Sequence, residues 1–335
     1  MVPTVPTMSD SPAVGVPQAD DPRPGVGAPQ ADDPDPSQWV LVFGATGRQG
    51  GSTARYLLQR GWTVHAFVRD PDKPAARDLA AMGARLVRGE LDDPDTVRAA
   101  MRGAYGVFSV QTPLSAGGVP AEERHGLLMA DIAAEVRPLH YVHSSVGGAE
   151  EPAGVFWRVT KLAIEERIRD HDLPATFIRP TYFMDNFHQY PPLVEDGELV
   201  YRRGLAPGVP LQMIASEDIG FFAAEAFADP ATFLGAKVEI AGDEVTGDEI
   251  ADAFGQQVGL PARFESIPVD ELREESEWQA TAYDWLNRIG YHADIPTLRS
   301  RFPDLLDLEG WLAKTAWAPS ELHAAPPAAG VPKGG

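Results

Sequence analysis

Cysteine is absent from the 335 residues, which excludes disulfides, thiolate metal ligands and a cysteine nucleophile, and leaves either redox compartment open. Positive charge is scarce: 28 Lys and Arg stand against 49 Asp and Glu, for a formal charge of −21. Such a chain repels phosphate backbones and anionic lipid unless it carries a local basic patch, and none is visible, so neither nucleic acid nor membrane is an expected partner. No apolar run approaches the roughly 20 residues that span a bilayer. The opening MVPTVPTMSDSPAV lacks the basic start and continuous apolar stretch of a secretory signal, so the expected location is the cytoplasm. Metal-ligand spacing is missing too. His140 and His143 lie three residues apart on a strand and point to opposite faces, and the other histidines show no ligand pattern, so no metal is expected.

What is present fits a folded protein, with 44% hydrophobic and 23% charged residues, near the globular average. Residues 1–37 are rich in Pro, Asp and Gly, and PQADDP occurs at 17–22 and again at 29–34. That segment reads as a disordered leader, and 318–335 as a disordered tail. Between them, β-branched runs at 39–43, 62–68, 84–88, 104–110, 139–143 and 174–179 alternate with helical patterns at 52–60, 74–82, 94–102, 121–136 and 155–170. The alternation predicts an α/β fold, a doubly wound parallel sheet of the Rossmann type, with its core over 38–180. After Pro180 the pattern loosens, with strands expected near 210–214 and 237–240 and helices near 217–227 and 247–257. The segments are short and no linker is evident, so 181–317 reads as a substrate-side α/β region rather than a second independent core.

The first strand leads into Gly44-Ala45-Thr46-Gly47-Arg48-Gln49-Gly50, a G-x-x-G-x-x-G run opening a helix expected to begin near Ser52. In a dinucleotide site the first glycine permits the tight turn, the second lets the backbone approach a pyrophosphate, and the third lets helix and strand pack closely. Helix N–H groups then face the phosphates. About 20 residues further on, an NAD site carries an acid for the adenine ribose. Here Arg69 ends the second strand. A guanidinium grips a 2′-phosphate as a bidentate pair, which favours NADP over NAD. Asp70 keeps a ribose contact open, and Lys73 adds charge. Asp92, after the third strand, is placed for the adenine edge, whereas Asp93 doubles as a helix N-cap before Pro94. Gln111 and Thr112, after the fourth strand, complete the candidate cofactor contacts of this half.

The series GATGRQG, HAFVRDP, GELDDP, LHYVHSS, a helix with a single lysine, and FIRPTYFMDNF resembles the NmrA-like family of atypical short-chain dehydrogenases over roughly 39–315. The resemblance implies NADP binding, a C-terminal region closing over the nicotinamide end, and a family of both NADP-sensing regulators with protein partners and quinone reductases. Orthodox short-chain dehydrogenases use a serine after the fifth strand and a Tyr-x-x-x-Lys helix, whose lysine holds the ribose and lowers the phenol pKa. Ser144, Ser145 and Lys161 stand in place, but the tyrosine position holds Trp157, whose indole cannot deliver a proton near neutral pH. The resemblance also implies nicotinamide-side contacts from Tyr182, Phe183 and Asn186. Tyr182 is the candidate replacement phenol, with wall packing its alternative. Lys161 has an alternative of its own, a pair with Glu165 on a solvated helix face.

Two functions follow. One is an NADPH-dependent reductase of a small carbonyl, enone or quinone-like compound, with Lys161 orienting the cofactor and Ser144, water or Tyr182 assisting the proton step. The other is a non-catalytic sensor whose NADP occupancy orders loops at 112–120 and 181–205 and changes its affinity for a protein partner. Trp157 favours the sensor, and Ser144 with Lys161 favours the enzyme. A sugar-nucleotide epimerase fits less well, because such enzymes keep the tyrosine. The acidic stretch Asp270–Glu277 reads as a solvated helix face or a partner surface. Monomer and homodimer are both open.

Overall fold

The computed structural model describes residues 35, 37–113, 117–150 and 156–319, with Phe156 and Trp157 in backbone alone. The expected leader and tail therefore lie almost wholly outside the described residues, as do 114–116 of the loop at 112–120 and the Trp157 indole.

The first half alternates as the sequence predicts: β1 (Trp39–Val42), α1 (Arg48–Gln59), β2 (Thr63–Val68), α2 (Pro74–Ala81), β3 (Arg85–Arg88), α3 (Pro94–Met101), β4 (Gly106–Ser109), α4 (Gly118–Val136), β5 (His140–Ser144), α5 (Phe156–Asp170) and β6 (Ala175–Pro180). One correction concerns α1, which begins at Arg48 rather than near Ser52. Gly47 is its extended N-cap, with φ −94° and ψ 179°, so the glycine run itself forms the first helical turn.

The second half contains β7 (Tyr182–Phe183), a 3-10 turn at Met184–His188, β8 (Leu193–Glu195), β9 (Glu198–Arg203), β10 (Leu211–Ile214), α6 (Ser216–Ala228), α7 (Pro230–Phe233), β11 (Lys237–Ile240), β12 (Asp243–Val245), α8 (Gly247–Val258), β13 (Ala262–Ser266), α9 (Val269–Glu275), α10 (Glu277–Arg288), α11 (Ile295–Arg301) and α12 (Leu308–Thr315). The stretch 181–205, expected as a loop, thus holds three short strands.

Seven strands form one sheet in the order β11-β6-β5-β4-β1-β2-β3, every pair parallel. Both faces are covered, which explains why the strands read as nearly continuous apolar runs. Val40 and Val42 pack into one core with Leu57 of α1 and Phe222 of α6. Leu41 and Phe43, alternating with them, pack into the other with Met129 of α4 and Ile164 of α5. Chain order reverses between β1 and β4, and the crevice beyond the strand ends at that point is where such sheets bind ligands.

The second half has a hydrophobic cluster around Phe187, Tyr201, Phe254, Trp285 and Trp311, while Phe222 of α6 and Ile240 of β11 join the core of the sheet. Two three-stranded sheets frame that cluster, β12-β10-β7 and β13-β9-β8. The acidic stretch is not one helix face. It breaks at Ser276, whose hydroxyl caps α10 by accepting from the Gln279 N–H, and Leu272 within it is buried.

Candidate cofactor and active site

The glycine turn has the geometry a diphosphate needs. Gly44 sits at φ +65°, in the left-handed region that favours glycine. The Gly47 N–H donates to the Gly44 carbonyl at 2.8 Å, closing the turn. A Cβ on Gly50 would strike the Gly44 and Phe43 carbonyls, so α1 packs against the turn only because that residue has no side chain. No acid occupies the first turn of α1 and no side chain caps it, which leaves its initial N–H groups available to an anion. Thr46 and Arg48 are exposed beside them. Next to the turn, a cleft of about 380 Å³ is lined by Arg48, Ser52, Arg55, Tyr56, Asp185 and Glu217, among others. Ser52 fixes its far wall by donating to the Glu217 carbonyl at 2.8 Å, and Gly220 of α6 lies directly against Ser52.

At the adenosine end, Arg69 and Asp70 follow β2 and are exposed. Among the described residues no carboxylate pairs with Arg69, so its guanidinium is open to an anion. The Asp70 carboxylate accepts from the Asp72 N–H at 3.0 Å. Lys73 is the backbone N-cap of α2, with its side chain in solvent. Asp92 is engaged by protein cations instead of standing free: Arg124 donates to it at 2.8 Å, and His125 pairs with the same oxygen at 2.8 Å. Those two partners hold its carboxyl below the usual range. Asp93 takes the capping role, accepting from the Asp95 and Thr96 N–H groups of α3.

The strand ends bring four of the expected residues together. Ser144, fully buried, donates to the Gln49 side-chain oxygen at 2.5 Å, tying the end of β5 to the glycine turn. Lys161 does not lie on a solvated face, and Glu165 is not its partner. It is 7% exposed and donates to the Gln111 carbonyl at 2.6 Å. It also pairs with Glu122 of α4 at 3.0 Å. Glu165 is fully buried and grips Arg179 of β6 at 3.0 Å and 2.6 Å. Burial pulls the Lys161 ammonium below its ordinary pKa, and Glu122 opposes that shift. His143 is pulled well below 6.5 by burial and then by Lys161, so its imidazole is neutral. The Gln111 amide donates to Ser109 at 3.0 Å, and Thr112 is exposed. The Ser145 hydroxyl is buried with no hydrogen-bond partner, an orphan at the mouth of β5.

Tyr182 opens β7, and burial pushes its pKa up. Among the described residues no hydrogen bond joins it to Lys161 or Ser144, whereas its ring lies 6.0 Å from that of Phe187. Phe183 packs against the sheet core. His140 and His143 are both buried and engage different partners, Thr176 at 2.8 Å and Ser109 at 3.4 Å. Among the described residues no cluster of His, Asp and Glu is arranged for a metal ion, and no helix is long and apolar enough to cross a membrane.

Sequence reasoning missed Glu122. A signal was available: it stands at helical spacing from the buried Gly126, Met129 and Ala133, so the charge belongs to the core-facing stripe of α4. A charge on such a stripe is buried only with a partner.

The family model described as the NmrA-like family matches residues 36–298. The chain belongs to the NmrA-like family. An NmrA-like family domain-containing oxidoreductase of Aspergillus hancockii is 30% identical over 252 residues, covering 68% of this chain and 75% of that one. An NAD(P)H azoreductase of Xenophilus azovorans is 29% identical over 236 residues, covering 70% and 79%. Among solved structures, NmrA, a negative transcriptional regulator, in complex with NADP superposes with a TM-score of 0.68 at 20% identity, covering 82% of this chain and 94% of that one. The NmrA-like assignment thus spans enzymes and a regulator, and the fold is common to both.

Proposed function

We propose that this NmrA-like protein is an NADPH-dependent reductase of a small carbonyl, enone or quinone-like compound. The observation that carries the reading is a pair of ties at the strand ends: Ser144 bonded to Gln49 of the glycine turn, and Lys161 bonded to Gln111 after β4. A serine and a buried ammonium at the strand ends have a catalytic use, whereas simple occupancy sensing needs only the turn. The residues fit a nicotinamide dinucleotide. Gly50 lets α1 pack closely against the turn, α1 offers uncapped N–H groups, and Arg69, with no carboxylate partner among the described residues, suits a 2′-phosphate. The azoreductase relative, named for NAD(P)H, supports a nicotinamide, and Arg69 supports the phosphorylated form.

When bound, NADPH supplies the hydride. Gly44, Gly47 and the first N–H groups of α1 hold the diphosphate, with Thr46 and Arg48 at its edge, and Arg69 holds the adenosine phosphate. Lys161 orients the ribose on the nicotinamide side, with Phe183 and Asn186 on the approach from β7. Ser144, water or Tyr182 would assist the proton step.

A second reading is a sensor whose cofactor occupancy changes its affinity for a protein partner. Trp157, at the position of the orthodox tyrosine, favours it, and so does the regulator among the solved structures. NADPH oxidation across a carbonyl and quinone panel, run beside equilibrium NADPH binding and a Lys161→Ala control, separates the two. The reductase predicts turnover that the control abolishes while binding largely survives. Tight binding without turnover of any compound would discard the reductase in favour of the sensor.

A further inference from the structure

The Lys161 ammonium is more tightly held than cofactor orientation alone requires. An ammonium has three N–H donors and no acceptor. One goes to the Gln111 carbonyl at 2.6 Å, and the Glu122 Oε1 lies 3.0 Å from the same nitrogen as an ion pair. The Glu122 side chain is fully buried, and its other oxygen accepts from the Thr160 hydroxyl at 2.9 Å. Thr160 precedes Lys161 on α5, so the same helix that presents the lysine also orients the carboxylate that grips it. Nothing in the orthodox Ser and Tyr-x-x-x-Lys arrangement supplies this acid.

We propose that Glu122 is a positioning residue for Lys161, a buried carboxylate that holds the ammonium by charge while the Gln111 carbonyl takes one N–H, so that a remaining N–H faces an oxygen of the bound dinucleotide. The inference rests on the cofactor reading above. It assigns Glu122 no contact with substrate, only the task of keeping the ammonium charged and fixed where water cannot. Of the charged and titratable groups around Lys161, Glu122 is the one paired with it. From β5, His143 is neutral, and from its own helix Glu165, bonded to Arg179 of β6, adds a lesser favourable charge. Burial alone would strip the ammonium of its proton at lower pH, and an opposite charge at this distance offsets that by one to several pKa units, about 1–3 in comparable pairs.

NADPH titrations of wild type, Glu122→Gln and Glu122→Asp, followed by nicotinamide fluorescence from about pH 6 to pH 10, read the effect without any turnover. Wild type loses affinity on the alkaline side as Lys161 deprotonates. Glu122→Gln moves that midpoint down by about one pH unit or more, so that affinity near the wild-type midpoint falls roughly tenfold. Glu122→Asp restores most of the midpoint, a rescue that a merely structural role would not produce. A folded Glu122→Gln protein with the wild-type midpoint overturns the proposal. Should Glu122→Gln fail to fold, thermal melts of Lys161→Met and of Lys161→Met with Glu122→Gln decide. The proposal expects the neutral pair to melt higher than Lys161→Met alone, because the stranded carboxylate is gone. A double variant that melts lower overturns it. A wild type that binds no dinucleotide defeats the cofactor reading instead, while the melts still report on the pair.

Discussion

Gly50→Ala puts the glycine turn to a test whose sign is diagnostic. In an ordinary helix interior the change is favourable by about 1 kcal/mol, because alanine restricts the unfolded chain and glycine does not. At this position the added Cβ meets the carbonyl groups of Gly44 and Phe43. Backbone cannot swing aside as a side-chain tip can, so overpacking should cost about 3 kcal/mol, the upper end of the usual range. The net expectation is a loss of about 2 kcal/mol, or roughly 3–4 °C in Tm for a domain of this size. The displaced turn also withdraws the N–H groups of α1 from the diphosphate, so NADPH affinity falls together with stability. Differential scanning calorimetry and isothermal titration would measure both, with Gln59→Ala at the exposed end of the same helix as a control expected to stay within about 0.5 kcal/mol. A Gly50→Ala protein that melts higher than wild type and binds NADPH equally well would refute the close packing and the cradle together.

Other expectations follow from the buried charges. Lys161→Met leaves the Glu122 carboxylate buried without its cation and should cost about 3–5 kcal/mol in urea unfolding; a loss under 1 kcal/mol would show that the pair is weak or hydrated. Asp218 of α6 is buried, accepts from the Leu306 N–H at 3.0 Å, and is pushed up to about 7 by burial first and Glu217 next. Because its folded pKa lies above the unfolded one, the fold is penalised as pH rises from about 4 to 7, by at most about 4 kcal/mol. Asp218→Asn keeps the acceptor and removes the titration, so it should raise Tm at pH 8 and lose that advantage near pH 4; an equal gain at both would contradict the shift. Arg179→Met leaves the buried Glu165 with the more distant Arg169 at 3.6 Å, and thermal melting should show a loss smaller than that of Lys161→Met, with no change there counting against the ion pair.

The Rossmann half was legible because its strands are β-branched runs buried on both faces, and because Gly44, Gly47 and Gly50 stand at the first strand–helix junction. The second half was not. Its strands β8, β9 and β13 carry arginines and glutamates, with Arg202 of β9 bridging Glu195 of β8 and Glu265 of β13, and those charges mask the alternation that marks a strand. At the site, Ser144 and Lys161 were found from position in the motif order, whereas Glu122 was hidden because its partner is distant in sequence. The ion pairs of Asp92 were hidden for the same reason: its partners, Arg124 and His125, lie one helix away.

The most direct test of the central claim is calorimetric titration of the folded protein with NADPH and with NADH, repeated on Arg69→Ala. A diphosphate on the glycine turn with a guanidinium at the 2′-phosphate predicts that NADPH binds more tightly than NADH, and that the substitution erases the difference while leaving NADH affinity nearly unchanged. No binding of either dinucleotide to wild type, or equal preference before and after the substitution, would contradict it.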